Sequence, residues 1–313
     1  MTSFADYGRP IELGDRGILK PGRLLWLRTI AWLVGFVFLI VLSFGPLGEA
    51  IGGLLSKDDH ALQFAAKALG AVVALCVYIV LVRFVEQRPA TELEMKAAAS
   101  ELSVGLLLGL LMFCAVMAIL VGGGWNRVEI NGLNPAWKAA GSAIEAGVVE
   151  ELIVRGIILR LLWRAFGPAV AFAGSAVLFG AGHLPNPGAS LFAAVCVALE
   201  AGVMLGAFYA FTGRLWVSIG VHVAWNFTQG YVFGAAVSGG HLGTSLATST
   251  AVPGQAEWLS GGAFGPEASL AALVVCSAVG FTTLWAAWKT GRLGPHGRAV
   301  LRPDAAIPAA AQA

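Results

Sequence analysis

Charge is scarce in this sequence: 12% of its 313 residues are Asp, Glu, Lys or Arg, while 58% are hydrophobic. A soluble domain carries about 25% charged residues, so the chain is not an ordinary water-soluble globule. Cysteine is scarcer still. The four present (Cys76, Cys114, Cys196, Cys276) stand singly in apolar runs, which excludes a disulfide framework or a zinc knuckle and suits small lipid-facing or core residues. No charge of one sign dominates. A formal net charge of +2, with basic residues at the edges of apolar runs, gives no basic face for nucleic acid. There is also no His-Glu-x-x-His pair of the kind that builds a helical zinc site.

Long apolar runs are present instead. They recur at about 24–45, 61–84, 102–122, 135–159, 169–183, 189–212, 215–236 and 268–289. A helix needs about 17 to 25 residues to cross the hydrocarbon, so the pattern predicts an all-α, polytopic membrane bundle of about eight transmembrane helices around an interior polar cavity; the fifth run is short and is expected to end inside the protein. The first run exceeds a signal-peptide core of about 7 to 15 residues and reads as a transmembrane helix. This layout throws 15 of the 20 basic residues onto one side, including Arg9, Arg16, Arg88, Arg160, Arg164 and Arg214. The positive-inside rule then places both termini in the cytoplasm, most simply at a bacterial plasma membrane.

The chain divides into a loosely ordered cytoplasmic lead, 1–23, a transmembrane domain, 24–290, and a cytoplasmic tail, 291–313. Residues Glu92 to Glu101 carry charges at intervals and are expected either to lie along the cytoplasmic interface or to extend the third span at its N-terminus. Residues 237–267 are rich in Gly, Ser and Thr and read as a long external loop. Trp26, Trp258 and Trp288 near span ends suit interfacial anchoring. His60, His241 and His296 fall in loops or the tail and are expected to be solvated.

Against this apolar background Glu150, Glu151 and Arg155 sit within six residues of one span. Each charge at the bilayer centre costs about 2.5 to 3.5 kcal/mol on insertion scales, so intramembrane ionisable groups mark function. Glu151 and Arg155 are four apart and share a helix face, acid first, as an ion pair prefers. Glu150 is turned by about 100° from Glu151 and is left as the freer carboxylate. A buried ion pair that only joins helices would account for Glu151 and Arg155 but not for Glu150.

Two further motifs follow. Phe179 and His183 end the fifth run, and Pro185 and Pro187 predict that the helix stops just after His183, where backbone groups are free. His222 and Asn226, four apart on the seventh run, share a face and both donate hydrogen bonds. Bonds between neighbouring helices are the plainer reading of that pair. Convergence on one cavity hides all these polar groups from lipid at once. Glu200 either lines that cavity or bonds a neighbouring helix, and Glu145 is expected to face the same interior.

Glu-Glu-x-x-x-Arg at 150–155, Phe-x-x-x-His at 179–183 and His-x-x-x-Asn at 222–226 resemble, in order and context, the signature motifs of the CPBP family of intramembrane proteases. That family includes the type II CAAX prenyl endopeptidases and the Abi proteins. The resemblance implies an intramembrane endopeptidase that cleaves a membrane-associated protein or peptide, lipidated or not. Glu150 with His183 would activate a water, and His222 and Asn226 would stabilise the oxyanion. Glu151, which would share in the chemistry, and Arg155 would support the site beside Phe179. No cofactor is expected.

A zinc-dependent version of the same protease, with Glu150, His183 and His222 as ligands, is one alternative. A non-enzymatic immunity or scaffold protein on the same fold is a second. A transporter relaying protons through Glu150 and Glu200 is a third, although no internal repeat is visible in the sequence.

Overall fold

A computed structural model describes residues 8–54 and 59–294, with 45–54 as backbone only. Lys57, His296, Arg298 and Arg302, and nearly all of the tail, lie outside the described residues. The eight apolar runs become eight long helices: α1 (Leu25–Leu54), α2 (His60–Val85), α3 (Ala98–Gly122), α4 (137–166), α5 (Pro168–Gly182), α6 (Leu191–Thr212), α7 (216–232) and α8 (Leu270–Lys289).

Among the described residues, five stretches are long and apolar enough to cross a membrane: Leu25–Phe44, His60–Val85, Thr91–Gly122, Leu191–Thr212 and Leu270–Lys289. The protein is an integral membrane helix bundle, with fewer qualifying spans than the eight expected from the runs. The remaining three helices fall short for physical reasons. α4 carries the charges, α5 is limited to 15 residues between Gly167 and His183, and α7 is filled with the site's polar groups.

Helix ends follow the local chemistry. Asp59 caps α2 by accepting from Leu62 N–H at 3.0 Å, and Ser190 and Ser269 cap α6 and α8 in the same way at 3.1 and 3.2 Å. Pro168 opens α5, where a missing N–H costs nothing. α4, α6 and α7 each pass into a π-helical stretch, at Leu152–Leu159, Ala198–Leu205 and Thr228–Val232. These wide turns fall at or beside Glu151, Glu200 and Asn226, consistent with the association of π stretches with functional sites.

α3 and α7 approach most closely, through glycines. A Cβ on Gly105 would stand 2.4 Å from the Val217 carbonyl, and one on Gly220 would stand 2.6 Å from the Leu102 carbonyl. Neither position has room for a side chain. Outside the helices there is one antiparallel ribbon, β1 (Asn126–Ile130) with β2 (Ala247–Ala251), which ties the loop after α7 to the segment before α4.

Several polar segments differ from their sequence reading. Residues 8–23, expected to be loose, pack Ile11, Leu13 and Leu19 into the core. Glu92 and Glu101 are both buried, and their segment continues into the third span as Thr91–Gly122, the second of its two sequence readings. Arg88 and Arg160, expected at loop ends, lie in one buried network. Arg160 forks onto Glu86 at 2.7 and 2.8 Å, Arg88 Nε donates to Glu86 Oε2 at 2.8 Å, and Arg88 forks onto Glu92 at 2.8 Å. Trp32 Nε1 donates to Glu86 at 3.0 Å, and the Tyr78 hydroxyl lies between Glu92 and the Gly156 carbonyl. Arg214 likewise pairs with Glu101 at 2.5 Å. Here the folded chain closes the gap between α2, α3 and α4 with paired charges rather than exposing them.

Candidate active site

The site is built from α4, α5, α6 and α7. Glu151, fully buried, places Oε1 2.7 Å from Arg155 Nη1, as the four-residue spacing predicts. The same oxygen lies 2.9 Å from His222 Nδ1. One carboxylate oxygen therefore accepts from both, and it ties α4 to α7. Arg155 also donates to the Ala201 carbonyl of α6, so Glu151 and the guanidinium together join α4, α6 and α7. Such charge-assisted bonds are about twice as strong as neutral ones.

Glu150 differs as its helix position predicts. Its side chain is 37% exposed, and Oε2 stands 3.8 Å from His222 Nε2. His222 thus has a carboxylate at each ring nitrogen, one bonded and one a little beyond hydrogen-bond reach.

His183 caps α5 just ahead of the prolines, as expected, and its Nδ1 bonds the Phe179 carbonyl at 2.8 Å. With Nδ1–H donating to that carbonyl, the Nε2 lone pair is left free. Phe179 sits among the polar groups. Its ring is 4.7 Å from the His183 ring, 6.5 Å from the His222 ring and 5.0 Å from the Arg155 guanidinium carbon. It acts as an apolar wedge that sets the spacing of three charged or polar groups, with a cation–π contribution from Arg155.

His183, His222 and Asn226 line one cavity of about 50 Å³ together with Phe179 and Glu200. That is space for about four waters, on a minimum of about 10–15 Å³ each. Glu200 therefore faces the cavity, the first of its two sequence readings. Glu145 does not face it. Its carboxylate pairs with Lys67 of α2 at 2.6 Å, which also explains a lysine inside a span. His60 and His241 are exposed, as expected.

Glu267 and Ser238, from the loop before α8, also line the cavity and were missed by the sequence reading. Nothing in their local sequence marks them. Glu267 is brought in by the 3-10 turn Pro266–Ala268, and its Oε1 accepts from Ser238 N–H at 2.6 Å and from Ser238 Oγ–H at 2.8 Å. Burial pushes the Glu267 carboxyl up from its ordinary value, opposed by the Ser238 bonds and by the nearby His183.

Fold and site together define a membrane-embedded helical bundle with a carboxylate–histidine centre at a small internal cavity. Residues 132–228, which carry all three motifs, match the family model described as type II CAAX prenyl endopeptidase Rce1-like. The match supports a protease of the CAAX-processing type, with a membrane-associated protein as substrate. No curated protein and no solved structure matches the chain.

Proposed function

We propose that the protein is an intramembrane endopeptidase in which Glu150 and His183 activate a water for attack on the scissile carbonyl. The observation that carries the reading is Glu151 Oε1 bridging Arg155 and His222, which turns His222 Nε2 toward Glu150. A buried ion pair alone would not need the histidine.

The water's proton passes to Glu150 or to the free Nε2 of His183 as its oxygen bonds the carbonyl carbon. The oxyanion so formed accepts from His222 and from the Asn226 amide. Because His222 Nδ1–H is committed to Glu151, a second proton on Nε2, shared with Glu150, is the one offered. The proton taken from water then returns to the leaving amine nitrogen as the C–N bond breaks. One preorganised oxyanion donor is worth about 2.7–4 kcal/mol of barrier. Glu151 keeps Oε2 buried without a protein partner, which leaves it able to hold the water or the substrate amide.

Among the described residues no three His, Cys, Asp or Glu side chains are placed as a metal-ligand set.

The test compares the membrane proteome of cells carrying wild type with that of cells carrying Glu150→Gln at equal membrane level. Fragments generated by wild type should disappear in the variant. The same fragments at the same abundance would refute the proposal. Repeating the comparison on purified membranes after chelation and zinc return reads the metal-dependent alternative directly.

A further inference from the structure

Two acids of the cavity take no part in that chemistry. Glu200 comes from the π-helical turn of α6 and Glu267 from the turn ahead of α8, and they are 4% and 5% exposed. Ser238 fixes the Glu267 carboxyl through two hydrogen bonds. Glu200 is different, because its Oε1 is buried with no hydrogen-bond partner. A buried carboxyl oxygen without a donor is costly, and the residue that carries it lines the cavity.

No lysine or arginine lines that cavity, and its histidines are engaged elsewhere: His222 lies between Glu150 and Glu151, and His183 Nδ1 is on the Phe179 carbonyl. The Asn226 amide also lines it as a donor, but no side chain with a permanent positive charge stands there to meet Glu200 and Glu267. A group bringing several N–H donors and a positive charge would complete it, and an ammonium brings three. Size limits the choice further. About 50 Å³ holds about four water-sized positions, enough for an ammonium and a few methylenes against Val197, Ala201 and Met204.

We propose that Glu200 and Glu267 form a recognition subsite for a primary ammonium, the end of a lysine side chain near the scissile bond of the substrate. The assignment to a substrate lysine rests on the peptidase reading, whereas ammonium binding does not. In the absence of such a group, burial favours a proton on Glu267; entry of the ammonium releases that proton to water.

The test uses purified full-length protein in nanodiscs, with n-propylammonium as probe and n-propanol as its neutral counterpart of equal size. Thermal unfolding and the infrared C=O band of protonated carboxyl groups are followed together. Propylammonium should raise the unfolding midpoint saturably and weaken the carboxyl band, and propanol should do neither. Glu200→Gln should lose the shift, while Glu150→Gln should keep it. An equal response to propanol, or a folded Glu200→Gln that responds like wild type, overturns the subsite. If Glu200→Gln does not fold, the wild-type comparison of amine with alcohol still decides. Failure of the peptidase reading appears elsewhere, as unchanged fragments in Glu150→Gln cells.

Discussion

Adjacent glutamates in one helix have separate roles because 100° of rotation gives them different neighbours. Glu151 is fully buried and holds Arg155 and His222, whereas Glu150 is 37% exposed and faces His222 across 3.8 Å. Their substitution should separate stability from chemistry. Glu151→Gln leaves Arg155 as a buried cation without its anion, a change that typically costs about 3–5 kcal/mol. Denaturation in detergent should show a destabilisation of that order for Glu151→Gln and a much smaller one for Glu150→Gln. Equal effects would mean that Glu150 is structural. The sequence made this split readable because both partners of the ion pair lie on one helix. It could not show that His222, 71 residues further on, shares the same oxygen.

Helix packing sets the distance between the two walls of the candidate site. α7 carries His222 and Asn226, and it is held against α3 by a seam in which Gly105 and Gly220 leave no room for a Cβ. Gly220→Ala puts a methyl 2.6 Å from the Leu102 carbonyl and must push α7 away from α3. Overpacking of this kind costs about 1–3 kcal/mol, and it should also shift His222 relative to Glu151. The expected outcome is a folded protein with lowered unfolding temperature and reduced cleavage. Full activity with normal stability would show that α3 simply yields. The apolar runs foretold all eight helices, but neither the glycine seam nor the π stretches were visible. Both depend on which helices become neighbours, and hydropathy does not record that.

At the scale of the molecule, a buried ionic cluster closes one end of the bundle. Glu86 sits just after α2, and although burial alone would raise its carboxyl, Arg160 and Arg88 hold it below the ordinary value. A folded-state value below the unfolded one means that Glu86 contributes stability above the unfolded carboxylate range, about 4.3. That stability is lost as pH falls through the lower folded value. The unfolding temperature should therefore fall on acidification below about 4.3, and Glu86→Gln should flatten this dependence. A variant with the wild-type acid profile would remove Glu86 as its source. The sequence reading took Arg88 and Arg160 as loop-end charges that set topology. Their partners, Glu86 and Glu92, are close in sequence to Arg88 but reach Arg160 only when α2 and α4 pack together.

The sequence by itself determined the all-α membrane character, the helix positions and the three polar motifs, because apolar run length and four-residue spacing are local properties. It also placed His183 at a helix end, because Pro185 and Pro187 follow it directly and cannot continue the helix. Only the tertiary structure decided that one oxygen of Glu151 serves both Arg155 and His222, that Glu145 turns to Lys67, and that Glu267 and Ser238 complete the cavity. These are contacts between residues 29 to 78 positions apart, fixed by which helix faces meet.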